Sequence, residues 1–433
     1  MPAWTTGAYP GTEPRLLVPG PGREGRADYE QRGGYQPGRE GADLIAAATA
    51  AGLRGRGGAA FPLGRKLAVV AAQPTDNGAP VVVVNGEEGE PASVKGRWLL
   101  RTRPHLVIDG ALRAARAVGA DRVYIYASDA AAVRGVETAL GELGELPAEV
   151  SVWQVEPGYV AGEETAAVNA INGKPAKPSE KPPRPFEAGV RGLPTLVSNV
   201  ETIANLPGIA VAPPSNESAG PTADTFLLTL GGAVNRPGLY EVPFGVTIGK
   251  AVEVLGHGTA GAARGYLMGG YFAGLLGPRG GGLRLDYDDL RVERSGLGCG
   301  AVTVLGPHDC PAGVTAQLLA YFARENAGQC GSCFNGTAAM AAVATGLATG
   351  VAGDADLDRL RHWCATLPGR GACGTLDGAV NIARSLLDEF APDVAAHQRG
   401  RTACERCAGT DFTALTVPFA ADPGELAPAE APV

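Results

Sequence analysis

The sequence predicts a multidomain α/β protein, and three observations carry that reading. Apolar, strand-like runs alternate with helical periodicities between residues 43 and 155, the pattern of a parallel, doubly wound sheet. A hairpin pattern followed by an amphipathic helix begins at residue 225 and fits a separate α+β module of about 60 residues. From residue 311 the apolar pattern turns helical, and its spacing predicts an antiparallel bundle with cysteine-bearing turns. A chain of 433 residues is too long for one ordinary core, which agrees with such a division.

Taken in order, residues 1–40 are rich in Gly, Pro and charge and read as a loose arm. A short Ala-rich helix over 43–51 leads into Gly52-Leu-Arg-Gly-Arg-Gly-Gly-Ala-Ala-Phe-Pro-Leu-Gly-Arg-Lys66. Residues 80–85 hold four consecutive valines, a β-branched run suited to a strand buried on both faces. Helices are predicted over 106–119 and 130–143, and strands over 122–127 and 150–155. Ligands of doubly wound sheets sit beyond the carboxyl ends of the strands, where the loops 86–91 and 158–165 fall. Residues 173–195, with six prolines and Lys174, Lys177 and Lys181, read as an extended loop. The second unit starts with a strand at 225–230, and the last has helices over 312–327, 336–349, 355–366 and 376–390. The tail after residue 408 is rich in Pro, Ala and acid and reads as disordered.

Composition excludes some classes of function. A net charge of -8 argues against nucleic acid, whose phosphates ask for a basic surface. No stretch approaches the ~18 apolar residues a membrane helix needs, and residues 1–22 lack the apolar core of a signal peptide. The expectation is a cytoplasmic chain, or one peripheral to a membrane complex through a partner, with no direct membrane insertion. All eight cysteines lie in the last third of the chain, none before Cys299. Clustered cysteines in a cytosolic chain read as metal or redox chemistry rather than as a disulfide framework.

Four constellations carry chemistry. The Gly-Arg-Gly-Gly turn at 55–58 either is a plain turn or lets a phosphate or flavin approach bare N–H groups, with Arg54, Arg56, Arg65 and Lys66 as countercharge. The acidic loop Asn85-Gly-Glu-Glu-Gly-Glu-Pro91 and the pair Glu163-Glu164 follow strands at one sheet edge, where carboxylates could accept hydrogen bonds from ribose, ribityl or nicotinamide groups. Cys330-Gly-Ser-Cys333, joined by Cys373 in Gly371-Ala-Cys-Gly-Thr375, can hold one metal centre; a zinc site would prefer four clean ligands, and a thioredoxin-like dithiol would sit by a βαβ unit. Cys404-Glu-Arg-Cys407, with His397 upstream, is a second C-x-x-C that could bind metal, whereas Cys299 and Cys310 read as small buried hydrophobes.

Together these segments resemble the NADH-binding flavoprotein subunits of respiratory complex I and of NAD-linked hydrogenases and formate dehydrogenases, over roughly residues 40–395. The 52–66 segment is close to that family's flavin loop, and Asn85-Gly-Glu-Glu-Gly-Glu-Pro91 resembles its Asn-x-Asp-Glu-x-Glu-Pro. Tyr159-Val-Ala-Gly-Glu-Glu-Thr165 and Pro194-Thr-Leu-Val-Ser-Asn-Val-Glu-Thr202 are similar to two further signatures. The resemblance implies a flexible arm (1–40), a Rossmann-like FMN/NADH-binding domain (41–222), a ubiquitin-like β-grasp domain of the SLBB type (223–288), a helical-bundle iron–sulfur domain (289–400) and a mostly disordered tail (401–433).

It also implies roles for particular residues. FMN would contact Gly55, Arg56, Gly57, Gly58, Lys66, Asn85, Glu87, Glu88, Gly162, Glu163, Val197, Ser198, Asn199 and Thr202. NAD(P)H would lie near Phe61, Glu90, Tyr159, Glu164 and Lys181, with Glu90 and Glu164 closest to the chemistry. Hydride would pass to the flavin, and single electrons to an iron–sulfur cluster and then to a ferredoxin-like or other redox protein subunit. Two departures stand out. Val69 and Arg184 occupy places where the family stacks adenine between aromatic rings, and Ala327 stands where its Cys-Gly-x-Cys-x-x-Cys motif has the first thiolate. Cys330, Cys333 and Cys373 then leave a three-ligand site for a [3Fe–4S] cluster, a site completed by a different ligand with Cys364 the nearest candidate, or an empty one. Two alternatives are a flavoprotein fed by a non-nicotinamide donor and a non-catalytic scaffold that keeps the fold.

Overall fold

The computed structural model describes residues 4–17, 22–212, 224–400, 404–407, 420–421 and 427–428. Its strands are β1 (Thr5–Ala8), β2 (Val81–Asn85), β3 (Arg122–Ala127), β4 (Glu149–Gln154), β5 (Thr195–Asn199), β6 (Thr225–Gly232), β7 (Gly238–Pro243), β8 (Gly265–Met268), β9 (Leu275–Leu276), β10 (Ala301–Leu305) and β11 (Ala427–Pro428).

The four valines of β2 explain the first sheet. Successive strand residues face opposite sides. Val82 and Val84 therefore enter a core with Leu67, Leu99 and Val107, while Val81 and Val83 pack with Tyr124, Tyr126 and Ala167 on the other side. Such a strand is stable only with helices on both faces. Helices Gly41–Ala50, Leu63–Ala71, Lys95–Thr102, Pro104–Val118 and Ala130–Gly141 contribute to the first face, and Glu164–Ile171 to the second. All pairings in this sheet are parallel, in the order β4-β3-β2-β5. The predicted doubly wound sheet is present, with one strand, β5, that the alternation had not marked.

The second sheet is mixed, in the order β11-β1-β7-β6-β10-β8-β9. β6 and β7 form the predicted hairpin. Its apolar face packs on helices Ile248–Val254 and Tyr287–Val292. The expectation of a loose N-terminal arm is corrected here. β1 pairs in parallel with β7, and Leu16 and Leu17 are buried. The cause is the fully buried carboxylate of Glu241, whose Oε2 accepts the backbone N–H groups of Arg15, Leu16 and Leu17 at 2.9, 2.8 and 3.1 Å. An anion so buried requires donors, and the arm supplies three of them.

Helices Pro311–Glu325, Gly331–Ala348, Asp354–Thr366 and Thr375–Glu389 share one apolar cluster. A further helix, Ala391–Gly400, was not foreseen and follows directly. Tyr159 ties this region to the first sheet, its ring edge-on to Tyr321 and Phe322 at 5.7 and 5.2 Å. No described helix is long and apolar enough to cross a membrane. Most of the predicted tail lies outside the described residues.

Candidate functional site

The strand order decides where a ligand can sit. The chain runs outward from β2 through β3 to β4, then returns to the other side of β2 as β5. The crevice between the carboxyl ends of β2 and β5 is thus a topological switch point, the usual ligand position in open α/β sheets. Asn85 and Asn199 end those two strands in register. Asn85 Nδ2 donates to Gly162 O at 2.7 Å, and Asn199 Oδ1 accepts the N–H of Glu201 at 3.0 Å, capping the next helix.

Four loops converge there. The 55–58 turn is closed by Gly55 N–H donating to Phe61 O (2.9 Å), and Arg56 N–H donates to Thr202 Oγ1 (2.8 Å). A Cβ on Gly57 would stand 3.2 Å from Cβ of Asn199, a tight contact, so this backbone approaches β5 closely. Glu163 caps helix Glu164–Ile171, its Oε2 accepting the N–H groups of Thr165 (2.7 Å) and Ala166 (3.1 Å). Lys181 donates to Glu163 at 2.7 Å and stands 3.2 Å from Glu164, which also pairs with Lys66 at 3.5 Å. Burial pushes the Lys66 ammonium down against that pairing, and the two lysines hold Glu164 below the usual carboxylate range despite its burial.

Two carboxylates of the 86–91 loop carry buried oxygens with no protein partner, Glu87 Oε2 and Glu90 Oε1. Burial raises both, Glu90 to about 8, with backbone N–H groups of Tyr271 and Ala92 opposing the shift. Buried polar atoms are normally satisfied, so the Glu87 orphan marks a place for a polar ligand, while the Glu90 carboxyl lies against the Gly270–Tyr271 turn. The neighbouring Glu88 is different. Its oxygens accept Ser93 Oγ (2.5 Å) and the N–H groups of Gly96 (3.1 Å) and Arg97 (3.0 Å), and it is used as a helix cap. Arg56 likewise sends its buried guanidinium away from the crevice, over the Phe244 ring at 4.7 Å and to Thr225 O at 3.1 Å.

Cys330, Cys333 and Cys373 line one pocket together with Ala327, Gly371, Ala372 and Pro178. Cys330 is the N-cap of the helix that begins at Gly331, and its Sγ accepts Ala372 N–H at 3.4 Å. Burial and the adjacent Cys373 and Cys330 push the Cys333 thiol up to about 11. Lys177 of the Pro- and Lys-rich loop donates to Ala327 O at 2.9 Å, so this pocket touches the α/β region.

Another sulfur cluster lies elsewhere. Cys310, His397, Cys404 and Cys407 direct one donor atom each to a common point, all within 4.8 Å of one another. The hydrogen bonds from Cys407 and His397 pull the Cys310 thiol well below its ordinary value, and the same contact pushes Cys407 up.

Comparison with known proteins matches both halves of this arrangement. Residues 48–208 match the Nuo51 FMN-binding domain, and residues 313–397 the iron–sulfur binding region of NADH-ubiquinone oxidoreductase F. The chain is 30% identical to an NADH-quinone oxidoreductase F-type subunit of Rhizobium meliloti, over 85% of this chain and 93% of the relative. It belongs to the family of NADH-quinone oxidoreductase F-type subunits. Within that family it is 32% identical to the mitochondrial NADH dehydrogenase flavoprotein 1 of Dictyostelium discoideum (80% of this chain, 76% of the relative). It is 30% identical to the HndC subunit of the NADP-reducing hydrogenase of Solidesulfovibrio fructosivorans (82% and 76%). A crystal structure of an NAD+-reducing [NiFe]-hydrogenase in the H2-reduced state superposes with a TM-score of 0.73 at 29% identity, covering 82% of this chain and 62% of that one. The class is therefore an electron-transfer oxidoreductase with an FMN-binding and an iron–sulfur binding region.

Of the residues the family resemblance singles out, the fold gathers Gly57, Asn85, Glu87, Gly162, Glu163, Asn199 and Thr202 at one crevice, with Lys66, Glu164 and Lys181 linked to it through Glu163. Ser198 and Val197 lie on buried β5, and Phe61 is exposed with Arg65 over its ring. Val69 is half-buried and Arg184 exposed. Cys364 needs correction. It does not line the three-cysteine pocket; it is buried on helix Asp354–Thr366, with Arg384 and Asp388 as its charged neighbours. A helix holds its side chains at fixed angles, and this one turns Cys364 into the apolar cluster. Cys310 needs the opposite correction, from inert core residue to a member of the four-donor group. Its partners His397 and Cys407 lie 87 and 97 residues downstream, and no local spacing marks such a ligand.

Proposed function

We propose that the chain oxidises NAD(P)H with FMN seated at the β2/β5 switch point, and passes single electrons through a cluster in the Cys330–Cys333–Cys373 pocket to a ferredoxin-like or other redox subunit. The observation that carries this reading is the convergence of the glycine turn, Asn85, Asn199 and Glu87, with its orphan oxygen, on one crevice. When bound, FMN supplies the conversion of a two-electron donor into one-electron steps. The chain's own residues do the rest. Backbone N–H groups of Gly57 and Gly58 and the Lys66 ammonium would balance a phosphate, and Asn85 with Glu87 would meet the ribityl or ring edge. Glu90, uncharged near neutral pH, offers a carboxyl to the nicotinamide amide, while Glu164 is held in place by Lys66 and Lys181. Arg56 acts through its backbone, and Glu88 by fixing the loop.

In the same proposal the unit around β6–β10 serves as a β-grasp domain of the SLBB type, and the four cysteine-bearing helices as the iron–sulfur bundle, for a protein that works at, not in, any membrane. Ala327 leaves the pocket one protein thiolate short, which fits a cluster prone to the [3Fe–4S] form. The test is anaerobic purification of the full chain, with flavin and iron analysis and titration of the flavin absorbance by NADH and NADPH. Bleaching by either coenzyme is expected. A flavin bleached by dithionite and by neither coenzyme would point to another donor, and a colourless, iron-free protein to the scaffold alternative.

A further inference from the structure

We propose that Cys310, His397, Cys404 and Cys407 bind one zinc ion in a closed tetrahedral site, separate from the three-cysteine pocket. Cys310 Sγ lies 3.4 Å from His397 Nε2 and 3.7 Å from Cys404 Sγ, and Cys407 Sγ lies 3.6 Å from His397 Nε2. A tetrahedral ion with bonds of ~2.3 Å to sulfur and ~2.0 Å to nitrogen has S···S edges of about 3.8 Å and S···N edges of about 3.5 Å. Three of the six edges already have those lengths, and all four donor atoms lie within 4.8 Å of one another. Thiolates of an iron–sulfur cubane each bind a different iron and must stand further apart, so the set is too tight for a second cluster. A disulfide does not account for it either, because its bond is ~2 Å long and uses two donors rather than four.

The surroundings are those of a structural site. Cys310, His397 and Cys407 are 5%, 4% and 2% exposed, leaving no open coordination position of the catalytic kind. The His397 ring is fixed from behind, its Nδ1 lying 2.7 Å from the Asp393 carbonyl oxygen. That contact makes Nδ1 the protonated nitrogen and leaves Nε2 free as the ligand. Asp393 is itself ion-paired to Arg264, which holds the helix carrying His397 against the second sheet. Cys404 and Cys407 form a tight turn, with Cys407 N–H donating to Cys404 O at 2.8 Å, as two ligands of one ion require. Cys310 is the N-cap of helix Pro311–Glu325, whose N-terminal end favours a thiolate. The ion would fasten the C-terminal segment to the start of the helix that leads to the cluster pocket.

The test is metal analysis of the full-length protein, purified anaerobically with its flavin. About one zinc per chain is expected, beside the iron. Zinc-edge X-ray absorption should show three sulfurs at ~2.3 Å and one nitrogen at ~2.0 Å. Cys404→Ser should lose most of the zinc while keeping flavin and iron, and Cys330→Ser should lose iron while keeping zinc. Wild-type protein without zinc, zinc with only oxygen and nitrogen neighbours, iron in place of zinc at these ligands, or zinc unaffected by Cys404→Ser would each overturn the proposal. The absorption measurement needs no variant, so it decides even if a variant fails to fold.

Discussion

The two C-x-x-C turns of this chain, Cys330–Cys333 and Cys404–Cys407, share a spacing and differ in almost everything else. The first opens a long helix and faces a pocket whose remaining wall holds one further thiol, Cys373, beside Pro178, Ala327, Gln329 and small residues. The second faces two further donors, Cys310 and His397, and all four donor atoms lie within 4.8 Å of one another. One site therefore leaves valence to be satisfied from outside the protein, and the other can satisfy an ion entirely by itself. The crevice at β2 and β5 belongs with the first kind, since Glu87, in the loop that follows β2, keeps a buried oxygen without a protein partner. Open sites should suffer from being filled, and the closed one from losing a donor.

The largest effect expected from that contrast is at the glycine turn. Gly57→Val should abolish bound flavin, because its Cβ would already crowd Asn199 and two further methyl groups would enter the crevice. Flavin content after gel filtration checks it; full flavin retention would place the cofactor elsewhere. Next, Ala327→Cys should give the open pocket a fourth thiolate and convert an oxygen-sensitive, partly [3Fe–4S] paramagnetic signal into that of a stable [4Fe–4S] cluster. An unchanged spectrum would show that the position does not reach the cluster.

A smaller, pH-dependent effect belongs to Glu90. Its folded-state value near 8 exceeds the ordinary 4.5, so the folded protein holds the extra proton between those values. Its contribution is fully present below about pH 4.5 and falls away as pH rises toward 8. Glu90→Gln should flatten that decline and stabilise the protein at pH 9, relative to wild type, by on the order of 2 kcal/mol. Thermal unfolding at pH 5 and pH 9 measures this, and parallel shifts at both pH values would count against a buried, protonated Glu90. The smallest effect is at Cys364. Replacing this buried thiol with serine should leave iron content unchanged and cost about 1 kcal/mol of stability. Loss of iron would instead return it to the cluster.

Much of the fold was legible because its signals are local. The valines of β2 can be satisfied only between two helical layers, and the helices of the last region were anticipated to within a few residues, apart from the start of Gly331–Ala348 and the unforeseen Ala391–Gly400. That helix starts earlier than its apolar periodicity, because Cys330 caps it and its first turn serves the pocket. β1 was missed for a different reason. Nothing in Thr5–Ala8 calls for a strand; what holds it is β7 and the arm-gathering carboxylate of Glu241, more than two hundred residues away. Arg56 and Glu88 show the same limit within a motif, since their side chains answer to Phe244, Thr225 and a helix N-terminus rather than to the crevice.

By itself the sequence determined the α/β class, the parallel sheet, the acidic loops at its carboxyl edge and the three cysteines of one pocket. Each depends on periodicity or spacing within a few tens of residues, where the geometry of a strand or a turn is enough to bring groups together. Only the tertiary structure decided that Cys364 turns into the apolar cluster and that Cys310 meets His397, Cys404 and Cys407. Ligands joined across about ninety residues of chain are placed by helix packing, and packing leaves no mark in local spacing.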